Sequence, residues 1–203
     1  MNNLDRLTSL FENFPGIGAR QARRFAFHIL TLPPQTTREL AELITALPDT
    51  VIECTSCRRF FARNGGGTEC SICTDLNRDR SKLMVLERDS DIQAVERSGT
   101  YDGLYFVLGG TVPLLESKQT NGVRGNGLKT IVADRLDDLS EIILAFAINP
   151  DGENTARYVE SLLKETLEST EIKLTHLGRG LSTGSELEYA DPETIKNALR
   201  SRY

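Results

Sequence analysis

The sequence predicts a multidomain α+β protein: a helical N-terminal part, a small cysteine-based module, and an α/β domain built on a parallel sheet. Three observations predict it. Apolar residues recur at helical spacing through the first 50 or so positions. Two C-x2-C pairs follow, at Cys54, Cys57, Cys70 and Cys73. From Ser81 onward, strand-like apolar runs alternate with segments of helical period, the pattern of βαβ units.

The bulk properties suit that reading. The chain has 203 residues, is 39% hydrophobic and 26% charged, and contains no tryptophan. This is an ordinary globular balance for one or two domains. The longest apolar run, Ile142 to Ile148, is too short to span a bilayer. Met1 to Arg6 lacks the apolar stretch of a signal peptide. A soluble, cytoplasmic protein with no membrane partner is expected. The net charge of -5 argues against a nucleic-acid partner until its distribution is considered. Residues 1–75 carry eight basic and eight acidic side chains, so the acidic excess lies in residues 76–203. Within Asn13 to Arg38 there are four arginines and no carboxylate. A local cationic patch is therefore expected inside an acidic chain.

Residues 1–53 read as the first domain. Leu4, Leu7, Leu10 and Phe11 lie at helical spacing. Pro15-Gly16-Ile17-Gly18 forms a turn, and Ala19 to Leu30 reads as a second helix with Ala22, Phe25, Ala26 and Ile29 on one side. Pro33-Pro34 is expected to stop it. A third helix is expected from Thr37 to Leu47, ending before Pro48. Helix, apolar-Pro-Gly-Ile-Gly turn and helix together resemble a helix-hairpin-helix motif. Gly16 and Gly18 permit a sharp turn and close approach to a partner. The turn opens a helix whose first N–H groups favour an anion. Arg20 and Arg24 are four apart and share a face, and Arg23 reaches the same side. The natural ligand is a phosphate backbone, bound without regard to sequence. The plainer alternative is a helical hairpin with a solvated basic face. His28 reads as a packed helix residue rather than a ligand.

Residues 54–77 hold all four cysteines, the two pairs separated by twelve residues. This spacing suits one tetrahedral Zn2+. Gly65, Gly66 and Gly67 supply flexibility to the intervening loop. Disulfides are rare in the cytosol, and a redox C-x-x-C requires a βαβ context that these pairs lack. Four thiolate ligands leave no open position for water, so the expected role is structural.

Residues 78–174 read as the α/β domain. Strands are expected at Lys82–Glu87, Leu104–Leu108, Glu141–Ile148 and Ile172–Leu177, with helices at Asp89–Arg97, Leu128–Leu139 and Asn154–Leu167. Asp89 or Ser90 is a candidate N-cap for the first of these helices. Acidic residues stand where such sheets place their sites, beyond strand C-termini: Glu87 after the first strand, Asp151 and Glu153 after the third. The arrangement resembles a Toprim fold, shared by topoisomerases and bacterial primases. Enzymes of that fold carry a Glu after the first strand and Asp-x-Asp after a later one, and those carboxylates hold Mg2+. Here Asn149 stands in place of the first such Asp, and a neutral amide cannot replace a carboxylate's charge. Glu87, Asp151 and Glu153 are thus either a Mg2+ or partner-contact cluster, or helix-start acids favoured by the dipole. Residues 175–203 form a glycine-rich loop, a short strand and a helix from Pro192 to about Arg200, with Asp191 as its cap.

Combined, the motifs resemble the RecR family of recombination mediators along nearly the whole chain. The resemblance is carried by Phe14-Pro15-Gly16-Ile17-Gly18, Arg24-Phe25-Ala26-Phe27-His28, the four cysteines and Val85-Leu86-Glu87. It continues through Tyr105-Phe106-Val107-Leu108-Gly109-Gly110, Asn149-Pro150, Thr155-Ala156-Arg157-Tyr158, and Arg179-Gly180 through Tyr189. Arg20 replaces the lysine usual in that hairpin. The stretch after Asn149-Pro150 is shorter than the family pattern, and the loop from Glu116 to Asn126 departs from its composition. The resemblance implies a homo-oligomer, dimer to tetrameric ring, that closes around single- or double-stranded DNA. Hairpin domains pair with hairpin domains, and the C-terminal segment also serves oligomerisation. It implies work with RecO, and in some lineages RecF, in loading RecA on single-stranded DNA, with no catalysis by the chain itself. The competing expectation is a metal-dependent nuclease or primase-like enzyme using Glu87 and Asp151.

Overall fold

The computed structural model describes residues 1–63, 66–114, 122–178, 180–181, 184 and 186–200. Gly65, much of the 116–126 loop and Arg179 lie outside the described residues. The chain divides into two compact units, Met1–Val51 and the remainder from Ile52.

The first unit is three helices. Helix α1 (Asn3–Glu12) starts with a capping box: the Asn2 side chain accepts from the Asp5 N–H, and the Asp5 carboxylate accepts from the Asn2 N–H. Helix α2 (Ala19–Thr31) packs on α1 through Ala22 and Ala26, the only buried residues of this unit. Phe11 meets Phe14 and Phe25 edge-on, with ring centroids 5.7 and 5.9 Å apart. Helix α3 (Pro34–Thr50) departs from expectation at both ends. Pro34 starts it rather than merely stopping α2, because the first helical position needs no N–H donor. Pro48 lies inside its last turn. The lost donor is tolerable there: it would have bonded the Ile44 carbonyl, and Ile44 is exposed, so water can serve that carbonyl instead.

In the second unit, β1 (Val51–Glu53) and β2 (Phe60–Ala62) pair as a small two-stranded sheet. The one-turn α4 (Ser71–Thr74) follows. The main sheet contains β3 (Asp79–Leu86), β4 (Gly103–Val107), β5 (Glu141–Ala145) and β6 (Lys173–His176), all parallel, in the order β4-β3-β5-β6. In register, Leu86 faces Val107 on one side and Ala145 on the other. The connecting helices are α5 (Asp89–Ser98), α6 (Gly125–Ala133) and α7 (Pro150–Leu167).

Several boundaries moved, for local reasons. Arg88 caps α5, and its N–H donates to Asp91 Oδ2 at 2.8 Å; neither Asp89 nor Ser90 is the cap. Helix α6 begins at Gly125 and unwinds into turns after Ala133. Helix α7 begins at Pro150 rather than Asn154, because Asn149 is a competent N-cap: its side-chain oxygen accepts from the Gly152 N–H at 2.8 Å. That early start shortens β5 to Ala145. In the tail, Leu187–Tyr189 forms a 3-10 turn instead of a strand, and α8 (Pro192–Arg200) follows, capped by Asp191.

Strand β4 lies at a sheet edge by order, yet all five of its residues are buried. The Val107 N–H donates to the Cys57 carbonyl at 2.8 Å. The four cysteines belong to one buried cluster with Leu83, Phe106 and Leu128. The cysteine module therefore covers that edge and shares the sheet's core.

Candidate nucleic-acid interface and metal centre

The turn between α1 and α2 is built on one strained residue. Gly16 has φ +75°, a conformation that costs a side-chain-bearing residue about 1–2 kcal/mol. Gly18 is different. It is extended, serves as the N-cap of α2, makes no side-chain cap, and has open space where a Cβ would stand. Within the chain nothing demands glycine there. The first helical bonds run from the Gln21 and Ala22 N–H groups to the Gly18 carbonyl. The amides of Gly18, Ala19 and Arg20 precede them and face outward at the positive end of the helix dipole.

Arg20, Arg23 and Arg24 are all exposed on α2. None of the three pairs with a carboxylate among the described residues; Arg24 only reaches the Gln21 side chain, at 3.5 Å. They line an open groove together with Phe27, His28 and Thr31. His28 is exposed on this face, contrary to the packed position expected of it. Ala22 and Ala26 are buried and Phe25 meets Phe11, while Phe27, His28 and Leu30 are exposed. Phe27, 51% exposed beside the arginines, is the residue that sequence reasoning missed.

The cysteine sulfurs lie within 4.8 Å of one another, and the residues are buried. Cys54 and Cys73 are 3.8 Å apart at sulfur, Cys57 and Cys70 3.6 Å. Disulfide sulfurs sit at about 2.05 Å, so these are not disulfides. A tetrahedral metal with sulfur ligands at about 2.3 Å requires sulfur–sulfur edges of about 3.8 Å. The cage fits a four-thiolate metal ion. Hydrogen bonding from Cys57, Cys70 and Cys73 holds the Cys54 thiol well below its ordinary range, and the Cys70 N–H also donates to Cys54 Sγ at 3.3 Å. Among the described residues, these four are the one group of His, Cys, Asp or Glu close enough to share an ion.

The acidic residues beyond the strands are placed differently from one another. Glu87 and Asp151 line one cleft, with Asp91, Thr111 and Asn149. Glu153 is not part of that lining; it stands near His176 at a neighbouring depression and lies 3.9 Å from Arg157. Glu87 pairs with Arg88 at 2.7 Å. Asp151 accepts from the Leu114 N–H at 3.0 Å. Beside it, Thr155 Oγ1 accepts from the Val112 N–H at 2.8 Å, and Asn154 Nδ2 donates to the Val112 carbonyl. The first turns of α7 thus tether the segment after β4.

Comparison with known proteins agrees with this architecture. The family model described as RecR, helix-hairpin-helix matches residues 4–47. The Toprim domain model matches residues 81–177, and RecR, C-terminal matches residues 180–203. A protein of Lactobacillus helveticus (strain DPC 4571) named Recombination protein RecR is 34% identical over 196 residues, covering 97% of this chain and 94% of that protein. The Recombination protein RecR of Bifidobacterium adolescentis (strain ATCC 15703 / DSM 20083 / NCTC 11814 / E194a) is 35% identical over 199 residues, 98% of this chain and 94% of that protein.

Proposed function

This chain belongs to the RecR family of recombination proteins, and we propose that it serves recombinational repair as a DNA-binding scaffold rather than as an enzyme. The hairpin grips the sugar–phosphate backbone without reading sequence. Amides of Gly18 to Arg20 receive a phosphate, and Arg20, Arg23 and Arg24 supply charge around it. The observation that carries this reading is three exposed arginines, none with a carboxylate partner among the described residues, directly after a glycine-kinked helix start.

The metal in the thiolate cage is zinc, and its role is structural. The cage sits inside the core shared with β4, so the ion holds the cysteine module against the sheet. Catalysis is disfavoured by how these side chains are used: the Asn149 amide caps α7, and the Asp151 carboxylate accepts from the Leu114 N–H. Weak Mg2+ binding by Glu87 and Asp151 remains compatible with the cleft they share.

A homo-oligomer follows from how little Met1–Val51 buries. Leu40, Leu43, Ile44 and Leu47 form an exposed stripe on α3, at the i, i+3, i+4, i+7 spacing of a packing face. A second copy of this unit is the self-complementary occupant. Closure into a ring around DNA would let modest phosphate affinity per subunit suffice through multivalency. A RecO-type partner, and in some settings RecF, would then direct RecA onto single strands. The test is oligonucleotide binding across a salt series. Arg20→Ala with Arg24→Ala is expected to weaken binding and to lower the slope of log affinity against log salt by about 0.7–0.9 per lost contact. Unchanged affinity at every salt concentration removes the hairpin from the interface. Cleavage of supercoiled or single-stranded DNA with Mg2+ or Mn2+, abolished by Glu87→Gln, would favour the enzyme reading.

A further inference from the structure

Half-buried arginines in the second unit are normally paired. Arg78 pairs with Glu96, and Arg124 with Glu53 at 3.3 Å. Arg59 and Arg135 are the exceptions among the described residues; Arg135 is half-buried, and its hydrogen bond goes to the backbone carbonyl of Arg80 rather than to a carboxylate. Its charged neighbours include Arg80 and Asp138; the Arg80 guanidinium donates to the Cys73 carbonyl at 3.2 Å and has no carboxylate partner among the described residues. Two guanidinium groups thus line one cleft of about 280 Å3 between the cysteine cage and the end of α6. Withdrawing a cation from water is costly, and an anion held in the cleft would offset that cost.

The rest of the lining indicates which counter-ion fits. The hydroxyl-bearing residues Thr55 and Ser56 stand on the cage side. Leu104 and Ile131 supply an apolar wall. Two carboxylates also border the cleft, Glu69 and Asp134, and both are exposed; Glu69 is engaged by the Ser56 hydroxyl. The volume of about 280 Å3 has room for a tetrahedral anion together with its water shell. Guanidinium forks match phosphate oxygens in geometry as well as charge.

We propose that Arg80 and Arg135 form a phosphate-binding cleft beside the cysteine cage, built from residues other than those of the hairpin. The phosphate comes either from a nucleic-acid backbone or from a free phosphate or nucleotide. Only the first source rests on the DNA-binding reading above.

The experiment uses the full-length, metal-loaded protein and two probes. Line broadening of inorganic phosphate by phosphorus NMR reports the free anion. Anisotropy of a labelled single-stranded oligonucleotide over a salt series reports the polymer. Arg80→Gln changes an exposed residue, and metal content and melting temperature check its fold; Arg135→Gln is the second variant. Loss of phosphate broadening together with a salt slope lower by about 0.7–0.9 supports the site and assigns it to the nucleic-acid backbone. Loss of broadening with an unchanged slope supports the site and assigns it to a free phosphate. Broadening retained in Arg20→Ala/Arg24→Ala separates this cleft from the hairpin, even if that variant no longer binds DNA. Equal broadening and equal slopes in wild type, Arg80→Gln and Arg135→Gln would overturn the proposal.

Discussion

Two glycines show how single residues divide between folding and binding. Gly152 is required by the fold: a Cβ there would stand 2.0 Å from the Ala147 carbonyl oxygen, a backbone atom with no rotamer to yield. Gly152→Ala is expected to destabilise the second unit by about 1–3 kcal/mol, read as a lower midpoint in urea denaturation. Gly18 has no such constraint. A serine there can accept from the first-turn amides of α2, adding a few tenths of a kcal/mol. The same Cβ would stand where a phosphate must approach. Gly18→Ser should therefore leave the melting temperature level or slightly raised while weakening oligonucleotide binding. Equal affinity would show that the turn does not contact the backbone closely.

At the scale of elements, α3 carries a consequence for assembly. Leu43 and Ile44 are 62% and 63% exposed on a helix with no buried residue. Leu43→Glu places a charge in the middle of the stripe. Light scattering on the variant should report a smaller assembly than wild type, with the spectroscopic signature of helix retained. A mass identical to wild type would assign assembly to some other surface. Helix α7 teaches a different lesson. From the sequence its N-terminal acids, Asp151 and Glu153, read with Glu87 as either a Mg2+ or partner-contact cluster or helix-start acids. In the fold, Asn149, Asp151, Asn154 and Thr155 cap the helix or hold the segment at Val112–Leu114.

For the molecule as a whole, the four-cysteine cage would be the largest single stabilising device once it holds zinc, as proposed above. Zinc binding is worth about 10–16 kcal/mol in small finger peptides, comparable to the whole stability of an ordinary domain. Here the cysteines share a buried cluster with β3 and β4, so loss of metal should propagate into the sheet. Metal analysis is expected to find one zinc per chain. Cys57→Ser, or prolonged chelation, should remove it and lower solubility and melting temperature together. A protein with no zinc and an unchanged melting temperature would refute the structural role.

The order of parts was readable from the chain because it rests on local chemistry. Cysteine spacing, a proline–glycine turn, apolar periodicity and strand–helix alternation are all set within a few residues of one another. The four-cysteine cage and the exposed arginines of α2 were legible for that reason. Other features depended on contacts distant in sequence. That the cysteine module closes the β4 edge depends on a bond from Val107 to Cys57, 50 positions apart. That Arg80 and Arg135 face one cleft depends on packing between the cage and α6. Periodicity identifies which side of a helix is apolar, but only tertiary packing decides whether that side is covered. Hence the apolar stripe of α3 belongs to the sequence, and its exposure to the fold.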